Sequence, residues 1–155
     1  EASETGEARL VGPAQSAYEP SDAQLSWHLA RFVEMIRALP SDPIVVRQNW
    51  LRAYDWATQG GAQVLNAMAD EENPFDKVGK TTVAVEVLSV VRASPGSFQL
   101  RWRESTYSNG TLIDVERFTG VATIVIEPAS SPERLSKNPL GLYVHSFNWS
   151  RDLQQ

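Results

Sequence analysis

Along the chain the apolar positions follow one period and then another. Leu25, Leu29, Phe32, Val33 and Ile36 recur at three- and four-residue spacing, which puts them on one face of a helix. Ser21 with Gln24 three residues later is a capping-box pattern ahead of that run, and Asp22 suits the positive end of the helix dipole. An amphipathic helix of about four to five turns is predicted, stopped by Pro40. Asp42 followed by Pro43 is an N-cap and first-turn pair. Ile44, Arg47, Trp50, Leu51 and Tyr54 then carry a second helix towards Thr58, with Gly60-Gly61 read as its terminator. Val64, Leu65 and Met68 support a short third helix, closed by Asn73-Pro74.

From Thr81 the period becomes two. Val83, Val85 and Val87 alternate with Ala84 and Glu86 in a β-branched run from Thr81 to Val91. Ser94-Pro95-Gly96-Ser97 is a turn, after which Phe98, Leu100 and Trp102 alternate with Gln99, Arg101 and Arg103. Asn109-Gly110 predicts a two-residue hairpin loop. Counting outwards from it places Arg103 opposite Glu116 as an ion pair and Trp102 opposite Arg117 as a cation–π contact. The next strand runs from Thr111 to about Glu127, and its apolar parity changes from Ile113 and Val115 to Phe118, Ala122, Ile124 and Ile126. A change spanning Gly120 predicts a bulge or sharp bend there. Pro128 to Lys137 reads as a polar loop leading to Asn138-Pro139-Leu140-Gly141 and a terminal strand. On that strand Tyr143, His145, Phe147 and Trp149 share one face, and Leu142 and Val144 the other. The order predicts an α+β domain, with about three N-terminal helices covering a strongly bent four-stranded antiparallel sheet.

Residues 1–20 differ from the rest. Glu1, Glu4, Glu7, Gly6, Gly12, Pro13 and Pro20 give the composition of a linker or arm, and Ala8 to Val11 fits either a short edge strand or a disordered stretch. The chain therefore divides into an arm over residues 1–20 and a domain over residues 21–153. A length of 155 residues with 42% hydrophobic positions suits one domain with a real core. A formal charge of −5 argues against direct binding of nucleic acid. With no cysteine and only two histidines, a thiolate nucleophile is excluded and a histidine-rich metal site is not expected.

Four stretches together carry a family resemblance: Ser21-Asp22-Ala23-Gln24 with Trp27 to Phe32, Asp42 to Asp55, Val78 to Trp102, and Asn138 to Arg151. They resemble the TrbF family of conjugal-transfer proteins, equivalents of the eighth VirB component of type IV secretion systems. The resemblance implies an NTF2-like fold and a bitopic inner-membrane protein with a short cytoplasmic tail, one transmembrane helix and a periplasmic domain. The chain carries the last of these parts, so it reads as an excised soluble domain with residues 1–20 as its membrane-proximal segment. The implied role is non-enzymatic, without cofactors. The protein would assemble with itself, weakly, and with other secretion subunits, among them the VirB-type component bridging the inner and outer membranes.

The same resemblance identifies Asn138, Pro139 and Gly141 as an Asn-Pro-x-Gly element associated with self-association and partner contacts. Leu140 fills its variable slot, as an exposed anchor or as core. Read as residue types alone, the four set a turn before a strand. His28 falls outside the main apolar stripe and is expected to be solvated or capping, whereas His145 is expected to be packed in a core or interface. NTF2-like folds also house isomerases and dehydratases and can bind small apolar ligands. The candidates for such chemistry are Tyr54, Asp55, Glu86, Glu104 and Asp114, although no pair among them is set at catalytic spacing. A filled cone with an apolar surface groove would mark a scaffold, and an open apolar pocket with a buried carboxylate or histidine would mark an enzyme.

Overall fold

The computed structural model describes residues 19–153. Nearly all of the arm expected over residues 1–20, with the edge strand considered at Ala8 to Val11, lies outside the described residues. Helix α1 (Asp22–Arg37) begins at the predicted capping box: the Gln24 amide donates to Ser21 Oγ at 3.2 Å, and the Ser21 amide to Gln24 Oε1 at 2.8 Å. Helix α2 (Pro43–Asp55) is capped by Asp42, which accepts from the Ile44 amide at 2.8 Å. Helix α3 (Gln59–Glu71) and a 3-10 turn (Pro74–Asp76) precede the sheet. Strands β1 (Thr82–Ser94), β2 (Ser97–Ser108), β3 (Thr111–Ile126) and β4 (Leu142–Arg151) form one antiparallel sheet in chain order. Helix α1 lies against β1 and α3 against β4.

The apolar stripe of α1 faces Phe98, Leu100 and Trp102 on β2, Phe118, Ala122 and Ile124 on β3, and Leu142, Val144 and Phe147 on β4. The Trp102 ring stacks between Phe118 at 5.6 Å and Phe147 at 5.9 Å, and Phe147 stacks on Trp149 at 5.2 Å. These large rings occupy much of the inside of the sheet.

Extra residues inserted in the strands explain where the alternation seemed to fail. In β1, Leu88 is the extra residue between Val87 and Ser89, so Val83, Val85, Val87 and then Val90 all meet the core. In β4, His145 is extra: Thr123 pairs with Ser146 and Ile124 with Val144. Leu142 and Val144 therefore share the inner side with Phe147 and Trp149, correcting the two-sided arrangement expected from strict alternation. His145 is consequently exposed rather than packed. Its Nδ1 lies 2.8 Å from Thr58 Oγ1.

The hairpin turn at Asn109-Gly110 forms as predicted, with Ser108 opposite Thr111 and φ of 51° and 79° at its two central residues. The pairings counted from it do not form, because Ile113 is an extra residue in β3 and shifts the register by one. Arg103 lies opposite Arg117 and pairs instead with Glu86, while Glu116 pairs with Arg151 at 2.7 Å. Trp102 lies opposite Phe118.

Gly120 is not a bulge. Even-numbered residues from Phe118 to Ile124 face inwards without interruption, and Ile113 and Val115 are exposed on the other side. A Cβ at Gly120 would sit 3.0 Å from the Trp102 ring, so this glycine makes room for the indole. Gly60 and Gly61 likewise do not end α2. They lie in the first turn of α3, where a Cβ on Gly61 would come within 2.1 Å of the Val144 carbonyl oxygen. Finally, the expected polar loop contains helix α4 (Pro132–Lys137), capped by Ser131 and opened by Pro132.

Candidate functional site

Helix α4 delivers the chain into the Asn-Pro-Leu-Gly loop. The Asn138 amide donates to the Arg134 carbonyl at 2.8 Å, and the Gly141 amide closes a turn onto the Asn138 carbonyl at 3.1 Å. Asn138 is 2% exposed, and its Nδ2 donates to the Leu142 carbonyl at 2.8 Å. Gly141 has φ of 67°, and its carbonyl accepts from the Glu127 amide at 2.7 Å. Trp56, at the end of α2, donates from Nε1 to the Lys137 carbonyl at 2.8 Å, tying the loop to the helical layer. Asn138 and Gly141 thus set the loop's shape. Pro139 is exposed and Leu140 half-buried, so these two present its surface.

Pro139 and Leu140 form a ridge between two depressions. One, of about 530 Å³, is bounded by Ile126, Pro128 and Leu135. The other is a groove of about 690 Å³ between α1 and the loop, walled by Trp27 and Met35, floored by His28 and Trp56, and rimmed by Arg31, Arg52 and Lys137. Trp27 leaves 60% of its surface exposed. The Arg31 guanidinium lies 5.4 Å from the Trp27 ring centre, a cation–π arrangement.

His28 corrects the expectation of a solvated side chain. It is 1% exposed and packs against Trp56 with ring centres 3.6 Å apart and planes tilted by 32°. The signal for this burial is in the spacing, since His28 lies three residues after Leu25 and four before Phe32. Burial pushes its pKa down from 6.5 to about 4, so it is neutral at pH 7. The unfolded chain takes up this proton first as pH falls through 6.5, and the folded protein follows near 4. Stability is therefore complete above the upper value and declines between the two, by about 3 kcal/mol. Unfolding by urea at pH 7 and pH 4 should show this loss in the wild type and its absence from a His28→Phe variant, after subtraction of the carboxylate titration common to both.

The candidate acid–base residues do not converge. Tyr54 donates its hydroxyl to Asn66 Oδ1 at 2.5 Å, and desolvation together with the nearby Asp70 holds its phenol above the usual range. Asp55 is exposed at the end of α2, Glu86 is exposed beside Arg103, and Asp114 is exposed near the hairpin tip. Only Glu104 is buried, and it is held on both oxygens: Arg37 donates from Nε at 2.6 Å and from Nη2 at 3.0 Å, and Trp102 Nε1 donates at 2.9 Å. The Arg37 guanidinium in turn lies 5.1 Å from the Phe118 ring and 5.6 Å from that of Trp149. A cavity of about 250 Å³ remains beside this pair. Among the described residues no group of three His, Asp or Glu is placed to hold a metal ion.

Comparison with known proteins agrees with this architecture. A family model described as VirB8 protein matches residues 2–152. A conjugal transfer protein TrbF from Rhizobium radiobacter is 31% identical over 128 residues, covering 81% of this chain. The chain spans 58% of that relative's length. The VirB8 structure from Agrobacterium tumefaciens superposes with a TM-score of 0.75 at 18% identity, over 86% of this chain and 94% of that one. A TrwG component of the type IV secretion system from Bartonella birtlesii gives a TM-score of 0.73 at 17% identity, over 89% and 96%. The helices and four-stranded sheet are the NTF2-like arrangement of these structures. The chain belongs to the VirB8 family of type IV secretion components.

Proposed function

We propose that this chain is the periplasmic domain of a bitopic inner-membrane subunit of a conjugative secretion apparatus, and that it acts by association rather than by catalysis. The observation that carries this reading is a contrast within the fold. The inside of the sheet is occupied by aromatic rings and the Arg37–Glu104 pair, with about 250 Å³ left beside that pair, whereas a larger apolar groove with an exposed tryptophan opens beside the Asn-Pro-Leu-Gly loop. Both oxygens of the Glu104 carboxylate are already engaged by the arginine fork and the indole N–H, which suits it to a structural pair rather than to a reacting group. The family is a structural component of secretion systems, in keeping with a scaffold. Among the described residues no helix is long and apolar enough to cross a membrane.

Partners in this reading are a second copy and other secretion subunits, including the component that bridges the two membranes. Pro139 and Leu140 would make contact, with Asn138 and Gly141 holding them in place. Confinement by the anchor sets the affinity required. An interface with Kd of about 10⁻⁴ M is largely empty in dilute solution, yet becomes occupied when tethering raises the local concentration to about millimolar. Sedimentation over a wide concentration range should therefore show a monomer for the free domain when dilute and association as it is concentrated, and chemical crosslinking of the anchored protein within the membrane should show oligomers. One unchanging monomer in both preparations would contradict self-association.

A further inference from the structure

We propose that the groove between α1 and the Asn-Pro-Leu-Gly loop receives an acidic peptide segment bearing an apolar or aromatic anchor, supplied by another subunit. This rests on the scaffold reading and names the chemistry of its partner. The chain is acidic overall at −5, yet the groove lining contains Arg31, Arg52 and Lys137 and no carboxylate. That local reversal of sign is complementary to an anion, and the like-charged grooves of two copies would repel one another.

The three cations are not equally engaged. Arg31 pairs with Glu34 at 2.5 Å, and Lys137 lies 3.8 Å from Glu133. Arg52 is exposed and makes no ion pair or side-chain hydrogen bond among the described residues. A planar guanidinium with no partner among the described residues, at a groove rim, is suited to take a carboxylate through two parallel hydrogen bonds. Arg31 Nε and His28 Nε2 are buried polar atoms with no hydrogen-bond partner among the described residues, and both residues line the groove. The neutral His28 adds no charge of its own to the floor. Trp27, Met35 and Leu140 provide the apolar surface, and about 690 Å³ accommodates a few side chains rather than a folded domain. Recognition thus takes two features together: a carboxylate at the Arg52 rim and an apolar side chain against Trp27.

The test is an NMR titration of the 155-residue chain with a short capped peptide alternating glutamate with leucine and phenylalanine, set beside the same peptide with lysine for glutamate. The acidic peptide should shift the Trp27 indole and the Leu140 amide, and bind about tenfold more tightly than the basic one. Arg52→Glu should weaken it by about tenfold, Arg52→Lys by much less, and added salt should weaken it progressively. Trp27→Ser, at an exposed position, should weaken binding and reduce the shift of the Leu140 amide. Equal binding of the two peptides, or an unchanged Kd in Arg52→Glu, would overturn the proposal. So would shifts confined to the Ile113 hairpin. If neutralising Glu1, Glu4 and Glu7 together tightened binding about tenfold, the chain's own arm would be the occupant and the proposal would fall. None of these failures would affect crosslinking to subunits through other faces, so the scaffold reading fails or survives separately.

Discussion

Replacing Arg37 with alanine is expected to remove about 3–5 kcal/mol of folding stability, because it leaves the Glu104 carboxylate buried without its counter-charge. The Glu104 side chain is 9% exposed and that of Arg37 17%, so solvent does little to screen the loss. The guanidinium also covers the faces of Phe118 and Trp149, and its removal opens space beside both rings. The double variant Arg37→Met with Glu104→Gln removes both charges while keeping an acceptor for Trp102 Nε1, and should recover most of the loss. Urea unfolding of the two variants measures this directly. A loss below about 1 kcal/mol in Arg37→Ala would mean that the pair behaves as a surface salt bridge and does not close the interior of the sheet.

Gly141→Ala should cost about 3 kcal/mol or more. At φ of 67° an L-residue is disfavoured by about 1–2 kcal/mol, and the new methyl would lie 2.2 Å from the Glu127 carbonyl oxygen, a backbone atom that cannot turn aside. Relieving that clash lengthens the bond from the Glu127 amide to the Gly141 carbonyl and carries Pro139 and Leu140 with it. Asn138→Ala should cost less, about 1–2 kcal/mol, since it removes a single bond to the Leu142 carbonyl. Thermal unfolding should rank the glycine change above the asparagine change. The opposite order would contradict a loop shaped by its left-handed residue.

Features specified by a few adjacent residues were legible in the chain. The Ser21–Gln24 box, the Asp42-Pro43 start and the Asn109-Gly110 turn each depend on chemistry within about four residues, and each forms as read. Features decided by a distant partner were not legible. Whether Leu88, Ile113 or His145 is the extra residue depends on the strand beside it, which period-two counting does not include. Gly60 and Gly61 look like a terminator until β4 lies across them, and then their missing side chains explain the close contact. The candidate loop was legible as a turn. Its neighbour Trp56, the buried His28 and the cationic groove rim come from α1 and α2, and only the fold brings them to it.

The most direct measurement of the proposed role is site-specific photo-crosslinking of this domain within a working conjugation apparatus. A photoreactive residue would be placed in turn at Trp27, Pro139 and Leu140, with Asn109 at the hairpin tip for comparison. A scaffold predicts adducts to a second copy or to another secretion subunit from the groove and loop positions, with transfer retained. Folded, transfer-competent protein giving no adduct to any subunit from the groove, the loop or the rest of the helical face would contradict it.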